Sequence, residues 1–282
     1  MRAGAGRPDA VSRAPELPAA ALQQQQPQPI LRVLHLDEQL VVIDKPAGLL
    51  VHRTALDAHE ALNARDLLQA QLGQPLWTVH RLDKATSGLL LFARSVAAAR
   101  ALGAAFEAGR VHKRYLALVR GWPVDAGEID HALARDPERP SAGQVLLPAL
   151  TRYRCLVRHE WPFGDGRHAS SRYALVEVEP ASGRRHQIRR HFKHIAHPLV
   201  GDSTHGKGAH NRAVAAWLGV ARLWLHASHL VLPDGVLGGG PGGGLDTGSV
   251  ETGPGALALH CPPGREWLAL QRAGQADVPP PA

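Results

Sequence analysis

Cysteine, aromatic residues and long apolar runs are all scarce in this chain. Its 282 residues hold two cysteines, one methionine and 5% aromatic residues. Cys155 and Cys261 cannot staple a chain of this length, so a disulfide-built secreted fold is excluded and both read as reduced thiols of a cytoplasmic protein. No apolar stretch approaches the ~18 residues of a membrane span. The longest, 213–221, reads as part of a helix. The start lacks the basic residues and following hydrophobic stretch of a secretory signal, so a soluble protein away from membranes is expected. Common catalytic signatures are missing as well: there is no GxxxxGK[ST], no GxGxxG behind a strand, no HExxH and no GxSxG. NTP hydrolysis, hydride transfer and zinc hydrolysis lose their usual support.

What is present starts with a hydrophobic share of 44%, enough to bury a core. Residues 1–29 are rich in Ala, Pro, Arg and Gln without helical or strand period, and read as a disordered extension. Residues 233–255 are a Gly-rich stretch that reads as a flexible insertion, and 273–282 as a disordered tail. The block 30–272 between the ends reads as one domain. Within it, Leu40–Asp44 is a β-branched run closed by the turn Lys45-Pro46-Ala47-Gly48. Trp77–Leu82 and Leu89–Ala93 read as strands joined by a tight exposed loop, Asp83–Gly88. Val96–Ala108 is an Ala-rich helix stopped by Gly109. Tyr115–Arg120 and Tyr173–Glu179 alternate as strands, the second with Ala174, Val176 and Val178 on one face. A helix is expected to open at Ser182-Gly183 and run through RRHQIRRHFKHIAH, with Ile188, Phe192 and Ile195 on one side and His186, Arg190, Lys193 and His197 on the other. Several strands with few helices, out of strict alternation, give an α+β fold with a mixed, largely antiparallel sheet and flanking helices.

The net charge of +7 is local. Between Gly183 and His226 stand eight Lys or Arg and one acid, Asp202, a difference equal to the surplus of the whole chain. Such a window is the footprint of a phosphate-backbone site, with Arg184, Arg185, Arg190 and Lys193 as candidate contacts. A solvated helix face is the bland alternative, but surface helices normally mix signs. Seven histidines share the window and raise a metal site; His186, His191, His194 and His197 are spaced so that they do not converge on a helix, and no metal is expected.

One carboxylate stands out: Asp83, at the end of an apolar run beside Arg81, in TVHRLDKATSGLLLF. By itself it reads as a turn residue. Five segments, VIDKPAGLLVH, HRLDKATSGLLL, KRYLALVRG, EPASGRRHQIRRHFKHIAHPLVGD and LWLHA, occur in the order seen in the RluA-type pseudouridine synthases, and the chain resembles that family from about residue 31 to about residue 231.

The resemblance implies the pseudouridine synthase fold with an RNA-binding cleft, and isomerisation of uridine to pseudouridine in RNA without cofactor or metal. It implies that Asp83 is the catalytic residue, suited as a nucleophile or as the electrostatic partner of a developing positive sugar. It implies that Tyr115 stacks on the uracil with its hydroxyl as a candidate base, that Arg189 pairs with the catalytic carboxylate, and that Arg81 fills the gap left when the target nucleotide flips out. Leu225 reads either as an apolar floor beneath the base or as packing. The segments VHRTALDAHE and GDSTHGKGAHNR are similar to a tRNA-modifying branch of the family, which implies the uridine at tRNA position 65; a cytoplasmic enzyme is expected, a monomer is the default, and no obligatory protein partner is expected. The alternatives are a 23S rRNA synthase of the same family, an RNA-binding protein without catalysis, and a histidine-rich metallohydrolase.

Overall fold

The computed structural model of the chain describes residues 28–53, 60, 62–164, 168–237 and 255–275. Nearly all of the N-terminal extension, the middle of the Gly-rich insertion and the end of the tail lie outside them. The elements, in order, are β1 (Arg32–Leu36), β2 (Leu40–Lys45), α1 (Ala64–Leu72), β3 (Trp77–Thr78), β4 (Ser87–Ala93), α2 (Val96–Glu107), β5 (His112–Arg120), β6 (Ala126–Asp130), β7 (Leu133–Ala134), β8 (Leu146–Leu147), β9 (Leu150–Trp161), β10 (Ser171–Pro180), α3 (Gln187–His194), α4 (Gly208–Leu218), β11 (Leu225–Leu232), β12 (Leu257–His260) and α5 (Leu268–Gln275). The main sheet runs β1-β2-β4-β11-β5-β10-β9-β6, with β12 added to β11 and β3 to β4, while β7 and β8 form a separate hairpin. Among the described strands only β4 and β11 pair in parallel. The expected α+β class, with its largely antiparallel sheet, is what the chain adopts. None of the described helices is long and apolar enough to cross a membrane.

Local sequence explains most of these elements. Every residue of β4, SGLLLFA, is buried, so the strand is covered on both faces and reads as a continuous apolar run rather than an alternation. In β10 Ala174, Val176 and Val178 are fully buried on one face. Helix α2 begins where Ser95 Oγ accepts the amide of Ala98 at 3.1 Å, and Gly109, at φ +66°, carries the chain out of it.

Three expectations are corrected. The run Trp77–Leu82 gives only two strand residues, because the ring of His80, not its backbone, pairs with β4: Leu91 N donates to His80 Nε2 at 3.0 Å. The segment after Asp83 is not an exposed loop, since Thr86 and Ser87 are buried and β4 already begins at Ser87. The basic helix starts at Gln187, not Ser182, because His186 takes a left-handed backbone at φ +55°, which no α-helix continues through. Gln187 then closes the entry, its Oε1 accepting from Ser182 Oγ at 2.7 Å and from Arg184 N at 3.0 Å.

The parallel pair positions the site. His226 and Ala227 of β11 pair with Ser87 and Gly88 of β4. At Gly88 φ is +106°, and a Cβ would stand 2.2 Å from the carbonyl oxygen of Ala227. No rotamer relieves a contact with backbone, so Gly88→Ala is expected to lower stability by about 2–4 kcal/mol, combining overpacking with the strain of positive φ. Urea unfolding measures this, and an unchanged midpoint would refute the close approach. Tyr115, on β5, packs at the seam of two cores. One is formed by β2, β4, α1 and α2, the other by residues of β5, β10 and α3 such as Val176, Ile188 and Phe192.

Candidate active site

The site is assembled around the loop that enters β4. At the end of β2, Lys45 is fully buried, and its Nζ donates to the carbonyls of Pro46 at 2.8 Å, Leu49 at 2.8 Å and Lys84 at 3.0 Å. The amide of Gly48 donates to the same Lys84 carbonyl at 2.8 Å, so the Lys-Pro-Ala-Gly turn is fastened to the residue that follows Asp83. Burial draws the Lys45 ammonium down to about 7, against the pull of Asp83, and the three carbonyls accept its hydrogen bonds.

Asp83 meets Arg189 across 106 positions of sequence: Arg189 Nη1 donates to Asp83 Oδ2 at 2.8 Å. The other edge of the guanidinium forks onto Asp202, Nε to Oδ2 at 2.7 Å and Nη2 to Oδ1 at 2.8 Å. Asp202 is 1% exposed and Arg189 6%, whereas the Asp83 side chain is 26% exposed. A buried acid therefore fixes the arginine, and the arginine presents the accessible acid. Burial pushes the Asp202 carboxyl up, but hydrogen bonds from Arg189 and from the amides of His205 and Thr204 outweigh it and hold the group below its ordinary value. Burial works against the Arg189 cation too, and the two carboxylates more than restore it.

Asp83 opens into a cleft of about 570 Å³, whose lining includes Arg81, Tyr115, Arg184, His186, Arg189 and Leu225. That volume lies within the range of small-ligand sites. Tyr115 has its phenol pushed up by burial and then by the charge of Asp83, so the neutral hydroxyl is favoured and a phenolate base is not. Leu225 is buried, pairs with Ala117 of β5 and gives the cleft an apolar wall beside Ile188. Arg81 is exposed at the cleft and makes no hydrogen bond or ion pair with the described residues.

The candidate phosphate contacts separate into two groups. Arg184 lines the cleft, exposed, with Nε donating to Pro148 O at 3.1 Å, and Lys193 is exposed on α3. Arg185 instead ion-pairs with Glu138 and lies 3.8 Å from Asp136, while Arg190 is half-buried and donates to Ala134 O at 2.9 Å. Arg222 pairs with Glu266. The scarcity of acids in the basic window thus holds in sequence and not in space, because Asp136, Glu138 and Glu266 arrive from other segments. The helix histidines are tied to separate partners: His191 Nε2 lies 3.0 Å from His131 O, His194 stacks on the His131 ring, His197 Nδ1 lies 2.8 Å from Arg120 O, and His186 Nδ1 lies 3.2 Å from His205 Nε2. Among the described residues no three His, Cys, Asp or Glu side chains gather as metal ligands would.

Sequence reasoning passed over Lys45, Asp202 and the pair His186 and His205. For Asp202 there was a signal: it is the single acid among eight cations. For Lys45 there was none beyond its place before a Pro-Ala-Gly turn.

The chain is similar to known proteins over most of its length. The family described as RNA pseudouridylate synthase matches residues 39–194, which include Asp83, Tyr115 and Arg189. The tRNA pseudouridine synthase C of Yersinia pestis is 42% identical over 214 residues, covering 74% of this chain and 83% of the relative. The protein of the same name from Vibrio cholerae serotype O1 is 41% identical over 206 residues, 71% of this chain and 84% of the relative. Among solved structures, human RNA Pseudouridylate Synthase Domain Containing 4 superposes with a TM-score of 0.59 at 26% identity, covering 86% of this chain and 92% of that one.

Proposed function

The chain belongs to the RNA pseudouridylate synthase family, and from that premise we propose that it is an isomerase converting uridine to pseudouridine in transfer RNA, with Asp83 as the reacting carboxylate and 30–272 as the catalytic domain. The observation that carries this reading is the Asp83 carboxylate itself. It is accessible in a cleft, gripped on one oxygen by Arg189 at 2.8 Å, with that arginine fixed by buried Asp202.

The reaction breaks the C1′–N1 bond, turns the uracil and joins C1′ to C5. A stacked nucleotide hides C1′, so the target must leave the helix stack first. Arg81, free at the cleft, is suited to enter the vacated space. Tyr115 supplies a flat ring for the uracil, and Leu225 with Ile188 an apolar wall that permits the base to turn without strong polar anchors. Asp83 then faces the sugar, where a carboxylate stabilises or captures positive charge at C1′. Arg189 holds it in one rotamer, and because the fork is already closed on Asp202, little reorganisation accompanies the step.

The choice of tRNA rests on the names of the relatives, and position 65 on the resemblance of two loops. Both cysteines are free thiols, which supports a cytoplasmic location. Incubating the protein with tRNA and 23S rRNA transcripts, followed by carbodiimide-stop primer extension, is expected to give one stop at tRNA uridine 65. Stops in 23S RNA alone would move the reading to a ribosomal substrate.

A further inference from the structure

Moving the ribose from N1 to C5 leaves a proton on C5 that must depart, while N1 must gain one. Three side chains of the cleft are tied to the reacting carboxylate by contact or charge, Arg189, His186 and Tyr115, and the carboxylate itself is a fourth candidate for the proton. Arg189 has no lone pair to accept a proton. Asp83 is occupied by the sugar while bonds exchange. The hydroxyl of Tyr115 is held neutral. His186 remains. Its Nε2 lies 3.9 Å from Asp83 Oδ1, its Nδ1 lies 3.2 Å from His205 Nε2, and its ring lines the cleft. It also stands at φ +55°, one of two described non-glycine residues at positive φ, in a conformation that ends the approach to α3 and that Gln187 closes behind it. A left-handed non-glycine residue beside a reacting group is a reason to ask what its side chain does there.

We propose that His186 is a catalytic base whose Nε2 takes the proton leaving uracil C5 after the C1′–C5 bond has formed, and that His205 is the positioning residue that holds its ring. The proposal rests on the pseudouridine synthase reading above. As the proton passes to Nε2, the electron pair of the C5–H bond returns to the uracil ring and restores its conjugation. N1 takes up a proton from the imidazolium or from water, so product and substrate remain isomers. This assigns the tautomer with Nδ1–H donating to His205 Nε2 and Nε2 bare. His205 is itself anchored: its amide and that of Thr204 donate to Asp202 Oδ1 at 2.8 and 2.9 Å, the carboxylate that also clamps Arg189. One buried acid thus sets both the partner of Asp83 and the partner of the base.

The charged groups facing His186 are Asp83 and Asp202, which favour its imidazolium, and Arg189 and Arg185, which oppose it. Those facing His205 are Asp202 on one side and Arg189, His186 and Lys193 on the other. Burial is the largest influence on both rings and lowers both, His205 to about 4, so that near neutral pH Nε2 of His186 is free to accept. Once protonated it faces the Asp83 carboxylate.

The test uses the full-length enzyme and tRNA carrying either protium or deuterium at uridine C5, in single-turnover reactions. Asn tolerates a left-handed backbone, so His186→Asn is the variant of choice. Its rate is expected to fall about 100-fold, the lower end of what a general base contributes, with RNA affinity changed less than about 3-fold and a primary deuterium isotope effect larger than in the wild type. A rate near that of the wild type, or a slow rate with an unchanged isotope effect, overturns the proposal. The wild type gives a second reading that does not depend on how the variant folds. Its isotope effect should rise as pH falls below the ordinary imidazole range and protonates the base, and a flat isotope effect there also overturns the proposal. In His205→Asn the loss should be about 10-fold, with the acid limb of the rate profile moved to lower pH, because the imidazolium loses an acceptor; an unmoved limb removes His205 from the role. A wild type that forms no pseudouridine in any RNA defeats the functional reading and this proposal with it. A wild type that does, matched by His186→Asn, defeats this proposal alone.

Discussion

Asp83→Asn is expected to fold, to bind RNA with unaltered affinity, and to release no tritium from RNA labelled at uridine C5. The amide has the shape of the carboxylate but neither its charge nor its nucleophilicity, so a step that needs either is lost. Removing a reacting group of this kind typically costs about 10⁴-fold or more in rate. The fold should barely respond. The Asp83 side chain is partly exposed, and Arg189 keeps both bonds to Asp202 when the third partner becomes an amide oxygen. What is lost is the charge assistance of one hydrogen bond, about 1 kcal/mol. Tritium release, the thermal midpoint and filter binding measure the three quantities separately. Normal release from the variant would take the reacting role away from Asp83, and joint loss of binding and folding would mean that it is a structural turn residue.

The sequence made parts of this arrangement readable, and the division has physical reasons. Periodic elements were legible because burial imposes a period: Ala174, Val176 and Val178 alternate in β10, and Ile188 and Phe192 recur on α3. Asp83, Tyr115 and Arg189 were legible through the order of motifs that resemble one family, not through any local pattern. What escaped depends on contacts between distant residues. The strand through Trp77 stops early because an imidazole takes the place of a backbone acceptor, and the helix starts late because one histidine turns left-handed. Neither event leaves a mark on hydrophobicity. The charge of the basic window was read correctly in amount but not in availability, since the acids that neutralise Arg185 and Arg222 lie 44 or more positions away in sequence. Asp202 shows the difference most clearly. In the sequence it is a lone acid among cations, a weak hint of a ligand; in the fold it fixes Arg189 and, through two amides, the loop that carries His205.

Asp202→Asn is therefore expected to damage stability and rate together. At neutral pH the substitution leaves a buried guanidinium facing an amide where it had a bidentate carboxylate, and breaking a buried pair in this way costs about 3–5 kcal/mol, on the order of 10 °C in Tm. The pH dependence follows from the direction of the shift. The folded carboxyl lies below its ordinary 3.8, so its contribution is complete above that value and is lost as pH falls through the lower, folded one. The gap between wild type and variant should stay level through neutral pH and close only at pH below about 4. In the rate, loosening Arg189 frees Asp83 by a fraction of an ångström to an ångström, a misplacement worth about 10² in the chemical step. RNA affinity should hold, because Asp202 is 1% exposed and cannot touch the substrate. Urea unfolding across pH and single-turnover rates at saturating RNA separate these effects. A variant that is destabilised yet retains the wild-type rate would show that the loop keeps Asp83 in place without Arg189. The Lys45 contacts to Pro46, Leu49 and Lys84, rather than the Asp202–Arg189 chain, would then be the device that positions the reacting carboxylate.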